Sequence, residues 1–178
     1  MRDTRDRLLD AVETLLIESG PGSTTLEAVA AEAGVSKGGL LYHFGSKRDL
    51  FTGLLDRLND VGEQDFAALR AAPRGAVAGF LESSRVADDG FTRTLLAATR
   101  LIGVREVDAA AALTASIDAW AGVIADQVSD PVLARLVQLV GDGLYLHALL
   151  GADSEPLDSA VVERVIALVP AAGDGPDA

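Results

Sequence analysis

Apolar residues recur at intervals of three and four along nearly the whole chain, and no stretch alternates in the manner of a β-strand. Leu8, Ala11, Val12, Leu15, Leu16 and Ser19 share one stripe and predict a first helix from Thr4 to Ser19, stopped by Gly20 and Pro21. Leu26, Val29, Ala30 and Ala33 predict a short second helix over Thr25 to Ala33, with Thr24 and Glu27 at capping-box spacing. Gly34 ends that helix without steric penalty, and Val35 is an apolar plug at the corner. Ser36 is a good N-cap for a third helix. Its Leu40, Leu41 and Phe44 are expected inside, leaving Lys37, Gly38, Gly39, Tyr42 and His43 outward. Helix, tight turn and second short helix together read as a helix-turn-helix.

Gly45 and Ser46 break the chain again. Ser46 caps a fourth helix whose stripe Leu50, Phe51, Leu54, Leu55, Leu58 and Val61 predicts a run from Lys47 to about Ala71, ended by Pro73. Beyond it the expected helices are Gly75 to Val86, Phe91 to Ile102, Arg105 to Val128, Pro131 to Leu150 and Leu157 to Val169, with the tail 171–178 disordered. The fold class is therefore all-α, with about nine helices: a three-helix helix-turn-helix domain over residues 1–46 and a C-terminal helical bundle over 47–170. The fourth helix is shared between the two, so movement in the bundle can reorient the head.

Two late helices are more apolar than solvent-facing helices need to be. Pro131 to Leu150 carries Leu133, Leu136, Val137, Val140 and Leu144 on one face and Val132, Leu139, Leu146 and Leu150 on another. Apart from His147, its polar residues keep to a strip of Arg135, Gln138, Asp142 and Tyr145. The last helix adds Val161, Val162, Val165, Ile166 and Val169. A homodimer is expected, with Leu133, Leu136, Val137, Val140, Leu144, Val161, Val162 and Val165 at the interface; a monomer core wrapping both helices is the alternative.

Charge complicates a nucleic-acid partner and then accommodates it. The chain of 178 residues has a net charge of −12. Residues 1–50 hold only −2 of this, and no acidic residue lies between Ala33 and Arg48. Lys37 and Lys47, the only lysines, both fall in that window beside Arg48 and His43. Arg2, Arg5 and Arg7 extend the basic surface. With no cysteine, disulfides and thiol chemistry are excluded. The polar start and the lack of an uncharged run of roughly 18 residues predict a cytoplasmic chain with no membrane partner.

By Phe51 the segment LLDAVETLLIESG followed by TTLEAVAAEAGVSKGGLLYHFGSKRDLF resembles the DNA-binding head of the TetR family of bacterial transcriptional regulators. The resemblance implies a dimeric regulator, a repressor in the expected case, that binds double-stranded DNA at a palindromic operator and is released by a small-molecule effector. It also implies roles for single residues. Thr25 is similar to a phosphate-contacting hydroxyl, and Ser36 and Lys37 stand at the start of the recognition helix. Gly38 and Gly39 approach the bases, Tyr42 and His43 match phosphate contacts, and Lys47 matches the lysine that opens the fourth helix. Leu41 and Gly39 depart from the Tyr and Thr common in the family, which shifts sequence reading toward Lys37, an N-terminal arm with Arg2 and Arg5, or DNA shape. Each role has a structural counterpart: Thr25 and Ser36 are also helix caps, and two glycines early in a helix cost about 1 kcal/mol each unless close approach requires them.

An effector site in the bundle would draw on Phe80, Phe91, Leu95, Trp120, Ile124, Asp142 and Tyr145, and would favour an apolar molecule. For Trp120, on a stripe with Leu113, Ile117 and Ile124, core packing is expected ahead of ligand contact. Asp142 and Tyr145 fit a pocket, an interface or a solvent-facing strip equally. The competing class is a small-molecule-binding or enzymatic helical protein whose head is vestigial or recruits another protein. Against enzymatic chemistry stand the absence of HExxH, GxxxxGK and GxSxG and the presence of only two histidines; Asp142 and His147 lie about 140° apart on a helix, and Ser83 and Ser84 read as surface. No cofactor or metal is expected.

Overall fold

Nine helices and no strand occur among residues 3–85, 90–152 and 155–170, the part of the chain that the computed structural model describes. They are α1 (Thr4–Ser23), α2 (Leu26–Glu32), α3 (Lys37–His43), α4 (Lys47–Arg70), α5 (Ala76–Ser83), α6 (Gly90–Thr99), α7 (Ala109–Ala125), α8 (Pro131–Leu149) and α9 (Leu157–Ile166). Arg2, Val86, the break at Asp88-Asp89 and the tail 171–178 lie outside the described residues.

Several helix starts carry a side-chain cap. α1 is interrupted at Gly20, whose φ of 76° takes the chain out of helical geometry before Pro21. Asp130 accepts from the Val132 and Leu133 amides at the start of α8, with Pro131 in the first turn. The Ser46 hydroxyl accepts from the Asp49 amide at 3.2 Å, as expected of a cap for α4. Two helix starts bear on the expected capping. The α2 cap is Thr25, whose hydroxyl accepts from Ala28 at 3.1 Å. Thr24 is buried instead and donates back to the Gly20 carbonyl at 3.0 Å, so the capping box with Glu27 does not form. α7 starts at Ala109 rather than Arg105, because Gly103 adopts a positive φ and the Asp108 carboxylate caps Ala111 at 3.0 Å.

The chain divides into two compact units that do not follow the boundary at residue 46: Met1–Gly62 with Gly90–Ser116, and Glu63–Asp89 with Ile117–Ala178. In the first unit α1 packs on both α2 and α6, which is why α6 belongs with the head helices. Its core is built on Leu8, Leu9, Val12 and Leu16 of α1, Leu40 of α3, Leu50, Phe51, Leu54 and Leu58 of α4, and Ala97 and Ala98 of α6. Phe91 and Leu95 pack against this core. A buried charge cluster crosses it. Glu13, 2% exposed, receives a hydrogen bond from the Thr94 hydroxyl at 2.7 Å and faces Arg57 at 3.4 Å and Arg93 at 3.3 Å. Arg57 also pairs with Asp10 at 2.7 Å.

In the second unit α5 packs against α8 and α9. Phe66, Leu69, Val77, Phe80, Leu81, Val123, Ile124, Val137, Leu144, Val162 and Val165 form its core. Trp120 lies edge-on to Phe66 with ring centroids 4.8 Å apart and 5.5 Å from Phe80. α8 is long and apolar enough to cross a membrane by length and composition, but Val137, Gln138, Gly141 and Leu144 are built into this protein core. Ser84, read as surface in the sequence, is buried and donates to the Phe80 carbonyl at 2.8 Å, an ordinary back-bond of a helix end.

Candidate nucleic-acid interface

The helix-turn-helix is set by three local devices. Gly34, at φ 64°, lets α2 end on bonds from Gly34 to Ala31 and from Val35 to Ala30, a Schellman-type closure. Val35 turns in and packs against the core. Ser36 then caps α3 by accepting from the Gly39 amide at 3.0 Å. Arg7 reaches across from α1 to donate to the Ala33 carbonyl at 2.5 Å, tying the end of α2 to the first helix.

These devices turn one face of α3 outward. Leu40 and Phe44, four apart, are buried; Leu41, about 100° around the helix, is 42% exposed and does not join the core as expected. Tyr42 is 86% exposed and His43 half-buried, their rings in a T-shaped contact at 5.2 Å. Lys37 and Gly38 are exposed. A Cβ on Gly38 would meet nothing nearer than the Ser36 hydroxyl at 4.0 Å, and on Gly39 only that hydroxyl at 3.3 Å. Packing within the chain therefore does not demand the glycine at 38. What the pair does provide is a flat, side-chain-free stretch of recognition helix, suited to close approach by another molecule.

The remaining head residues each have a partner within the first unit. Thr25 is exposed, its hydroxyl already engaged as the α2 cap. Lys47 is half-buried: its ammonium donates to the Pro21 carbonyl at 2.5 Å and stands 5.2 Å from the Phe51 ring. Arg48 donates to the Glu106 carbonyl at 2.8 Å, and Arg5 lies 5.5 Å over the Phe44 ring. The partners of these three cations are neutral carbonyls and rings. Lys37 is different. Its ammonium pairs with the Glu27 carboxylate of α2 at 2.6 Å, and that hydrogen bond holds Glu27 below the usual carboxylate range. In the sequence Glu27 reads only as a capping-box residue and Arg7 only as part of the basic surface, because their partners Lys37 and Ala33 lie 10 and 26 residues away.

The seven residues expected to line an effector site are split between the two units. Phe91 and Leu95 serve the first core, while Phe80, Trp120 and Ile124 are packed into the second. Tyr145 is half-buried and Asp142 exposed on α8 of the second unit. A cavity of about 70 Å³ in this unit, lined by Arg85, Leu144, Ala148, Glu155 and Asp158, is far below the roughly 300 Å³ of a drug-sized site.

The residues expected at a dimer interface are also redistributed. Val137, Leu144, Val162 and Val165 are buried in the second unit's own core, because α5 covers that face; Leu133, Val140 and Val161 are half-buried around it. Of the eight, Leu136 alone is exposed, at 43%. It belongs instead to an uncovered stripe of Val132, Leu136, Leu139, Leu146 and Leu150, spaced four, three, seven and four apart.

Comparison with known proteins matches both parts of the chain. Residues 8–54 match the bacterial regulatory proteins of the tetR family, and residues 74–170, more than half of the chain, match the tetracyclin repressor-like C-terminal domain. The HTH-type transcriptional regulator TtgR of Pseudomonas putida is 36% identical over 59 residues, 33% of this chain and 28% of that protein. The HTH-type transcriptional repressor BepR of Brucella suis is 36% identical over 55 residues, 31% of this chain and 26% of that protein. The chain thus spans about a quarter of the length of these curated relatives. Similarity of fold extends much further. A TetR-family member from Streptomyces coelicolor superposes with a TM-score of 0.72 at 22% identity, over 95% of this chain and 99% of that one. The multidrug binding protein EbrR in complex with malachite green gives 0.67 at 24% identity over the same shares. Head and body are both accounted for, and the protein belongs to the TetR family of DNA-binding transcriptional regulators.

Proposed function

We propose that the protein is a ligand-responsive repressor that binds a palindromic operator as a homodimer and is released by a small apolar molecule. The observation that carries the DNA-binding part is the outward face of α3, where Gly38 and Gly39 leave the backbone bare between Lys37 and the exposed Tyr42. Two such faces in a dimer would read half-sites roughly 34 Å apart or a multiple of it. Selection from genomic fragments by the purified protein tests this. Enrichment of a palindrome supports it, and no enrichment at low salt overturns it.

Lys47 has a double role in this reading, as a phosphate contact and as the clamp on the Pro21 carbonyl. Lys47→Ala is expected to weaken binding to all sequences and to lower the salt slope by about 0.9 per head. An unchanged slope in a binding titration from 50 to 200 mM salt removes Lys47 from the contact set.

The dimer is assigned to the uncovered α8 stripe together with Leu157 at the start of α9 and Leu168 just beyond its end, which are 62% and 51% exposed. Large apolar side chains in one row on a long helix form a seam of the kind that helix bundles bury between subunits. The effector is assigned to the second unit near Trp120, where Phe66, Phe80 and Trp120 form a packed aromatic cluster whose side chains would have to part to admit it. EbrR, similar in fold, was crystallised with malachite green. Trp120 is the only tryptophan, so its fluorescence is a direct reporter. Quenching by an apolar dye that also releases operator DNA supports the assignment; release without a change at Trp120 places the effector elsewhere.

A further inference from the structure

We infer that Glu27 is a specificity-determining residue for DNA, acting with Lys37 as one donor–acceptor pair on the recognition surface. The inference rests on the DNA-binding reading above and extends it to a residue outside the recognition helix. Among the head cations, Lys47, Arg7 and Arg48 donate to neutral backbone carbonyls. Lys37 instead shares an ion pair with Glu27 at 2.6 Å, and both side chains are more than half exposed. Exposed ion pairs and first-turn carboxylates each contribute little to stability, so folding gives only a modest reason for a carboxylate there.

Its placement matters more than its strength. Gly38 and Gly39 carry no side chain, so Lys37 is the charged group at the leading end of α3, and Glu27 is set beside it from α2. A lone lysine there would bind any phosphate. The carboxylate cancels that attraction and repels the DNA backbone, which lowers affinity for DNA at large. Base edges offer both halves of a match: guanine O6 and N7 accept from an ammonium, and the cytosine N4 amine donates to a carboxylate. The pair is therefore complementary to a G·C step in the major groove and penalised wherever that step is missing, a combination of attraction and repulsion typical of specific interfaces.

The test uses the full-length protein, its Glu27→Gln and Glu27→Ala variants, and Lys37→Ala. Operator obtained by fragment selection is compared with random duplex of equal length across a salt series. The two Glu27 variants are expected to bind random DNA about 3- to 10-fold more tightly at low salt, with a salt slope steeper by about 0.9 per head. They should also lose discrimination by about 5-fold or more at one G·C position in each half-site, the position at which Lys37→Ala relaxes too. Circular dichroism and melting temperature of the Gln variant should match wild type. If its slope and its operator-to-random ratio are unchanged, Glu27 is a surface ion pair and the inference is overturned. A uniform gain in affinity without loss at any position overturns the base-reading role. Wild-type protein that selects no sequence refutes the DNA-binding reading itself, a result distinct from either.

Discussion

At the scale of single residues, the glycines separate into two kinds that composition alone cannot tell apart. Gly141 sits inside α8, where a glycine costs about 1 kcal/mol against alanine. A Cβ there would come within 2.2 Å of the Phe80 ring, so the residue is required for α5 to lie against α8. Gly141→Ala is expected to destabilise the protein by about 1–3 kcal/mol through overpacking, although alanine is the better helix former. Urea denaturation checks this, and a stabilised variant would show that the Phe80 ring has room to move. Gly38 has no such neighbour, and its expected cost of substitution falls on DNA binding. Ser36 joins the two concerns: its hydroxyl caps α3, so Ser36→Ala should lose about 0.5–2 kcal/mol of stability and loosen the helix that presents Lys37. A melting curve unchanged from wild type would show the cap to be dispensable.

At the scale of elements, the Glu13 cluster joins α1, α4 and α6 by charge inside an otherwise apolar core. Burial pushes the Glu13 carboxyl above its ordinary value of 4.5; the Thr94 hydrogen bond and the nearby Arg57 oppose this, Asp10 adds to it, and Arg93 opposes it weakly. In the window between 4.5 and the raised folded value, the folded state keeps a proton that the unfolded chain has lost. Stability therefore declines as pH rises through that window. Glu13→Gln removes the titration, so the stability of wild type relative to the variant should fall as pH rises from 4.5. Equilibrium unfolding at several pH values measures it, and a difference that does not change with pH would refute it. Glu13→Ala should cost more, about 3–5 kcal/mol, since it leaves Arg57 half-buried beside a cavity with one partner fewer.

At the scale of the whole molecule, the pattern of the late helices shows how far apolar content can be read. Both apolar faces of α8 were visible in the sequence, but α5 covers the one bearing Val137 and Leu144, not the one bearing Leu139 and Leu146. The proposed intersubunit seam is accordingly assigned to the second face. Leu139→Glu places a charge at the middle of that stripe and leaves the unit's own core untouched. It should convert a dimer to monomer at micromolar concentration, with helix content retained and operator affinity lost at least 10-fold. Sedimentation decides this: a wild-type monomer under the same conditions sinks the dimer assignment, and a dimeric variant removes the stripe from it.

Helix positions, turn chemistry and the exposure of Lys37, Gly38 and Tyr42 were legible along the chain because each depends on neighbours three or four residues away, while Gly39 and His43, also expected outward, are half-buried. Caps at Ser36 and Ser46, and the turn at Gly34, are local hydrogen-bonding problems with local solutions. The same reasoning missed by one residue at Thr24 and Thr25, where a buried hydroxyl found a better partner behind it. What only the tertiary structure decided involves partners distant in sequence: Glu27 with Lys37, Arg7 with Ala33, Gly141 with Phe80, and α6 with α1. Periodicity states that a face is apolar, but not which helix covers it. That is settled by packing, where shape and volume at the contact, rather than hydrophobicity, choose between two equally apolar sides.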